Sequence, residues 1–354
     1  DEENNLKAIE SLTIYRSIRY GQNVDFVVTD ERSYKSDHTI PEELSDGNGL
    51  FFHPRTALPA EAVLVMDQGR TANGGNPPDQ VQGLNNVRKD SPPGTMLGST
   101  QKAWWKETMS NSTATWKLWC NEVPMMRFSV PVGPAGILIF DRVAFCDAWD
   151  DKPTERNELM TYLRDEDIDN VVVLTGDMHA HFAGTLMHDY DTDAPEPVAA
   201  EFVAAGVSSN TVFSFFEDAT RGQPPQLRDL VTYDSTGLGG DQAFVNNLNN
   251  LLFNGSASAL EAAESHDLDA IEAAADRSIN PHLKFVDCDA QGYGLMTVSA
   301  DQVVAKLVTI NRPIEDMGDV GQGIRTTATF TLAKDSRGAV SDPVIEGDKP
   351  FPIR

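Results

Sequence analysis

Apolar positions recur along the chain with two periods, and these divide it into strands and helices. Residues 14–30 (IYRSIRYGQNVDFVVTD) read as two strands around the turn Tyr20-Gly21-Gln22-Asn23. Residues 115–125 read as a strand ending near Asn121, and residues 135–145 as another that runs out at Asp147-Ala148-Trp149-Asp150-Asp151. Val171, Val172, Val173 and Leu174 form an unbroken apolar run, the mark of a strand buried on both faces. Ala204-Ala205-Gly206-Val207-Ser208-Ser209 closes a further strand, while residues 291–310 and 325–333 alternate apolar and polar as half-exposed antiparallel strands do. Helical signatures cover residues 99–112, with Ser99 or Thr100 as N-cap and Trp104, Trp105 and Met109 on one side. Others start at Pro153, running to Leu163, and span the Ala/Glu-rich residues 257–277. Strands that alternate with helices predict parallel or mixed α/β layering. Residues 67–95 follow neither period. Their Gly74-Gly75-Asn76-Pro77-Pro78 and Ser91-Pro92-Pro93-Gly94 clusters predict a long surface loop, expected to be mobile because it has little apolar area to bury.

The run at 171–174 leads directly into Thr175-Gly176-Asp177-Met178-His179-Ala180-His181. Gly176 permits a sharp turn, and the strand end then delivers a carboxylate and imidazoles to one spot. That donor set suits a hard or borderline cation at the carboxyl edge of an α/β sheet. Taken alone, an Asp-x-His pair is better read as a turn cap beside solvated histidines. The surrounding segments reverse that preference.

Composition narrows the class. A chain of 354 residues with 40% hydrophobic residues can bury one large core or two ordinary ones. Lys and Arg total 28 against 54 Asp and Glu, a net charge of -26, which repels phosphate backbones and anionic membranes. No nucleic-acid partner is therefore expected. Such a balance fits a secreted or periplasmic setting, where salt screens self-repulsion, and an anionic substrate would need a local positive centre such as a metal. No apolar run approaches the ~20 residues of a membrane span. The start Asp1-Glu2-Glu3-Asn4-Asn5 reads as a processed end. Cys120, Cys146 and Cys288 lack CxxC spacing and default to buried thiols, with a pairing of Cys288 left open. The acidic residues 188–193 lack the Gly and distal Glu of an EF-hand and read as a solvated loop.

Eight segments then occur in a telling order: residues 15–21 (YRSIRYG), 30–37 (DERSYKSD), 96–105 (MLGSTQKAWW), 116–125 (WKLWCNEVPM), 147–156 (DAWDDKPTER), 174–179 (LTGDMH), 201–209 (EFVAAGVSS) and 280–285 (NPHLKF). Over roughly residues 14–310 this order resembles the carboxyl-terminal two thirds of the PhoD-type alkaline phosphatase/phosphodiesterases, secreted metallophosphoesterases of calcineurin-like architecture. The resemblance implies an α/β (α+β) fold: a four-layer sandwich of two mixed β-sheets flanked by helices. Residues 1–354 would form the larger part of one such domain. It further implies iron and calcium as cofactors and hydrolysis of phosphate mono- or diesters at the strand ends.

By motif, Asp177 and His179 match the family's late metal ligands. Asn121, Trp149 and Asp150 match positions close to the catalytic centre, with plain strand-end packing an equal alternative. His181 stands where the family has a small residue, so its role is open, with substrate binding the reading adopted. Arg16, Arg19 and Arg32 are phosphate clamps by chemistry, although ion pairs within the sheet are the favoured use of each; Arg32 is the one adopted as substrate-binding.

The family's early ligands, a Cys in a Ser-Cys stretch, a Gly-Asp-x-Ile-Tyr motif and an Asp-Asp-His-Glu motif, do not occur in the sequence. Two ligands cannot hold a catalytic cluster, which needs roughly four to eight donors. The expected partner is a second, shorter chain from a cleaved precursor that carries the missing ligands, making a heterodimer; a fragment of the enzyme would look the same. The alternative is a non-catalytic acidic binding or assembly subunit with a degenerate metallophosphatase fold.

Overall fold

A computed structural model describes residues 7, 11–41, 58–128, 130–131, 142–144, 147–235, 244–312 and 323–352. The hairpin expected at residues 14–30 forms as β1 (Arg16–Tyr20) and β2 (Val24–Val28), paired antiparallel. Five more strands complete this sheet: β3 (Trp116–Cys120), β4 (Val171–Thr175), β5 (His181–Met187), β6 (Pro197–Val203) and β7 (Leu283–Asp287). Their order is β1-β2-β3-β4-β6-β5-β7. The pairs β2/β3, β3/β4 and β4/β6 are parallel, and β6/β5 and β5/β7 antiparallel. The carboxyl ends of β2, β3, β4 and β6 therefore lie along one edge. A second, wholly antiparallel sheet contains β8 (Gly292–Val298), β9 (Gln302–Ile310), β10 (Ile324–Ala333) and β11 (Val344–Gly347). Of the strand expected at 135–145, only residues 142–144 lie among the described ones.

The two sheets pack face to face, as the α/β sandwich expectation required. Val24, Trp116, Leu118, Val172, Ala200, Phe202 and Phe285 from the first meet Val303, Ala305, Leu307, Ala328, Phe330 and Leu332 from the second. Phe330 sits with its ring 5.6 Å from Phe202 and 5.8 Å from Phe285. Each such side chain contributes about 1.5–3 kcal/mol by burial. The helices are α1 (Ala60–Asp67), α2 (Gly98–Asn111), α3 (Pro153–Asp165), α4 (Val212–Thr220), α5 (Pro225–Val231), α6 (Leu248–Ser265) and α7 (Leu268–Ala273). Trp105 and Met109 of α2, and Leu159, Met160 and Leu163 of α3, pack with Trp119, Val171 and Val173 on the other face of the seven-stranded sheet. Val171, Val172 and Val173 are all fully buried because β4 has a core on each side. No helix among the described residues is long and apolar enough to cross a membrane.

Three local expectations need correction. Neither Ser99 nor Thr100 caps α2. Thr95 Oγ1 accepts the Gly98 N–H at 2.8 Å, and the Glu155 carboxylate accepts those of Met96 and Leu97, so the cap comes from elsewhere in the chain. The stretch 257–277 is not one helix: α6 ends at His266, with φ 56°, and Asp267 caps α7 through the N–H groups of Asp269 (2.8 Å) and Ala270 (3.3 Å). Residues 67–95 lie at the surface but are folded. Asp67 O accepts Gly94 N–H, and Ser91 O accepts Arg70 N–H, both at 2.8 Å, which closes the segment on itself. Leu84 fills a small core with Ile40, Leu58, Ala62, Val63 and Met66.

Candidate functional site at the carboxyl edge of the seven-stranded sheet

Beyond Thr175 the chain turns tightly. Asp177 (φ 62°) and His179 (φ 52°) both adopt the left-handed region, which costs a non-glycine residue of order 1 kcal/mol or more and is held here by fixed partners. His179 Nδ1 donates to Asn210 O at 2.7 Å, and Val212 N–H donates to His179 O at 3.1 Å. With Nδ1 so committed, Nε2 is the free lone pair of the imidazole. The Asp177 carboxylate is half-exposed. Burial raises its pKa, and Arg32 opposes the rise.

The turn after β2 supplies the cation. Asp30 Oδ1 accepts the N–H groups of Arg32 (3.1 Å) and Ser33 (2.8 Å), and Gln101 bonds both the N–H (2.8 Å) and the carbonyl (2.9 Å) of Asp30. Arg32 then reaches across with Nη2 3.2 Å from Asp177 Oδ1 and Nη1 3.2 Å from Asp147 Oδ1. Lys35 stands 3.6 Å from the same Asp147 oxygen. Sequence reasoning missed Asp147 and Lys35. The only hint was that both fall inside the segments that carried the resemblance.

Glu31 was also missed. Its Oε2 accepts Glu122 N–H at 2.8 Å while Glu122 Oε2 accepts Glu31 N–H at 3.1 Å, a reciprocal clasp joining the ends of β2 and β3. Thr29 Oγ1 donates to its other oxygen. Burial pushes the Glu31 carboxyl up to about 8, so it holds a proton at neutral pH.

The remaining candidates serve as support. Asn121 Nδ2 donates to Val123 O (2.5 Å) and Thr175 Oγ1 (3.1 Å), while Trp149 Nε1 donates to Asn121 Oδ1 (2.9 Å). Thr175 in turn donates to Glu201 Oε1 at 2.7 Å, and Glu201 also accepts the N–H groups of Met125 (2.9 Å) and Met126 (2.6 Å). Burial pushes the Glu201 carboxyl up to about 7. Asp150 is enclosed, accepting from Arg156 Nη1 at 2.5 Å and Phe128 N–H at 2.9 Å. Asn121, Trp149 and Asp150 are thus buried and bonded to protein groups.

His181 is corrected more sharply. As the first residue of β5 it points between the two sheets and is fully buried. Ala205 N–H donates to its Nδ1 at 3.0 Å, so Nε2 carries the proton and donates to Val308 O at 3.2 Å. Burial lowers its pKa, which keeps the ring neutral. It has no face left for a substrate. Of the other arginines, Arg19 pairs with Asp25 at 2.7 Å, the favoured use, and Arg16 Nη1 donates to Ile14 O at 2.8 Å. Cys120 and Cys288 are free thiols, and Cys146 lies outside the described residues.

The edge therefore brings together Asp177, His179, Arg32, Asp147 and Lys35. Among the described residues no group of three or more His, Cys, Asp or Glu side chains is arranged to hold a metal ion. Asp177 and His179 still have the chemistry for part of a shell, an oxygen donor beside a neutral imidazole nitrogen.

Alkaline phosphatase D of Bacillus subtilis (strain 168) is 25% identical over 198 residues, covering 56% of this chain and 26% of its own length. The solved structure of PhoD superposes with a TM-score of 0.56 at 20% identity, covering 97% of this chain and 45% of that one, a likeness of fold. The chain thus spans about a quarter of the length of the first relative and a little under half of the second. Residues 3–235 match the family described as PhoD-like phosphatase. The chain belongs to the PhoD-like phosphatase family.

Proposed function

We propose that this chain hydrolyses phosphate esters, with Asp177 and His179 as metal ligands and Arg32 as a contact to the phosphoryl group. The observation that carries the reading is the strand-end turn of β4. Two non-glycine residues are held there in left-handed conformations, with the Asp177 carboxylate against the Arg32 guanidinium and His179 close enough for its charge to act on Asp177. Iron and calcium are the cations proposed. Asp177 can bind either through oxygen, while His179 Nε2 suits the transition metal. A cation there would polarise the phosphoryl oxygens and acidify water for attack in line with the leaving group. The residues themselves orient the ester and answer its charge.

Two ligands are too few for a catalytic cluster. The proposal therefore includes a second, shorter polypeptide carrying the remaining ligands, in a secreted or periplasmic heterodimer. Asp177→Asn should lower bound metal and abolish hydrolysis of a chromogenic phosphoester with circular dichroism near native, and His179→Ala should do the same. Full activity in either variant ends the assignment. The lack of a three-ligand group among the described residues favours one rival, a non-catalytic binding subunit. A native mass of 38.7 kDa, the chain alone, in a metal-free and inactive preparation would put that rival in front.

A further inference from the structure

We propose that Arg32 and Lys35, held by Asp147, form a two-cation clamp selective for the dianionic phosphoryl group of a phosphate monoester; this rests on the phosphoesterase reading above. The two cations come from one rigid turn. Asp30 accepts the Arg32 and Ser33 N–H groups at 3.1 and 2.8 Å. Six residues after Asp30, Ser36 N–H donates to Thr95 O at 2.9 Å. The backbone between is tied at both ends, so the side chains need little ordering when a ligand arrives.

Both cations approach a single oxygen, Asp147 Oδ1, with Arg32 Nη1 at 3.2 Å and Lys35 Nζ at 3.6 Å. The two cations share this carboxylate. Arg32 also touches Asp177, but with only its second nitrogen, at 3.2 Å. The nearby Asp151 pairs with Lys152, whose Nζ lies 2.6 Å away with both side chains fully buried, and its charge also favours the Lys35 ammonium. The Lys35–Asp147 distance exceeds hydrogen-bond reach, and the half-exposed Arg32–Asp147 pair is weakly held, so donors remain for an incoming anion. The side chain of Arg32 is 48% exposed and that of Lys35 12%, so the guanidinium faces solvent and the ammonium lies deeper.

The chemistry selects the ligand. A terminal phosphate carries about -1.5 to -2 charges at neutral pH, whereas a diester carries one. The planar fork can take two phosphoryl oxygens and the ammonium the third. A diester has no third anionic oxygen to offer, so Lys35 gains it little.

The test uses the native preparation with Lys35→Met, Arg32→Met and the charge-preserving Lys35→Arg. For Lys35→Met the KM of a chromogenic monoester should rise about tenfold or more, while that of the matching diester changes less than about threefold. Bound metal should stay unchanged, and Lys35→Arg should restore the monoester KM. Arg32→Met should raise KM for both esters. Equal rises for the two esters in Lys35→Met, or loss of metal from it, overturn the clamp. Calorimetric titration with inorganic phosphate keeps the clamp testable even if neither ester is hydrolysed. Its Kd should weaken about tenfold in Lys35→Met and recover in Lys35→Arg, and an unchanged Kd refutes the proposal.

Discussion

His179 and His181 are two residues apart, yet one faces the edge of the sheet and the other its interior. Periodicity could not separate them, because the strand boundary falls between them: β5 begins at His181, and its pleat sends that ring between the sheets. The deciding partners, Ala205 N–H and Val308 O, lie 24 and 127 residues away in sequence. His181→Ala should accordingly destabilise by about 2–4 kcal/mol, through a cavity and two orphaned backbone groups, and leave bound metal unchanged. Thermal melts beside metal analysis check this, and metal loss without a fall in Tm would return His181 to the site. Glu31 gives a pH signature at the same scale. Its folded pKa of about 8 lies above the ordinary 4.5, so the folded state binds the extra proton between those values. Glu201, at about 7, acts with the same sign. Their stabilising contributions are full below about pH 4.5 and are lost as pH rises through 7 and then 8, a loss of order a few kcal/mol. Tm measured across that window should fall, and Glu31→Gln should flatten the upper part of the slope. A wild-type Tm independent of pH there would contradict the buried protonated carboxyl.

Strands were the most legible elements, since a period of two or an unbroken apolar run leaves few alternatives. Residues 116–120, 171–175 and 302–310 all form where their patterns put them. The lobe at 67–95 was illegible for a physical reason. It is held less by apolar area of its own than by backbone hydrogen bonds and by a small core shared with Ile40 and Leu58, which no local window contains. Close approach matters as much. Gly69 has φ 54°, and a Cβ there would stand 2.4 Å from Ser91 O. Gly69→Ala therefore combines strain with a backbone clash and should cost about 2 kcal/mol or more. Limited proteolysis reads the difference: the native lobe should resist early cleavage, and Gly69→Ala should expose it. Early nicking of the native protein within 67–95 would revive the mobile loop. The same reasoning explains the cap of α2, where Glu155 supplies a carboxylate from 58 residues away.

Over the whole molecule the resemblance implied two facing sheets, and the strand-end motif marked the edge where Asp177 and His179 stand. The sequence could not foretell Asp147 and Lys35, whose role depends on convergence across loops. It did fix the charge. Acidic residues number 54 and basic ones 28, so even if every Lys and Arg found a carboxylate, 26 acidic groups would remain without a cationic partner. Many pairs are moreover exposed ones, such as Lys89–Asp79 and Lys334–Asp335, which contribute little to stability. The folded state concentrates this excess in a small volume, whereas an expanded chain spreads it out, so self-repulsion opposes folding. Salt reduces the repulsion more than it weakens the few buried pairs, such as Arg156–Asp150, because screening acts in solvent. Raising sodium chloride from about 0.05 to about 1 M shortens the Debye length from more than 10 Å to about 3 Å. Tm should rise over that range by several degrees and then level off. Potassium chloride should give the same curve, since screening depends on ionic strength and not on the cation. A Tm that falls with salt would show that ion pairs outweigh the excess charge, and a rise only with calcium would point to a specific cation site.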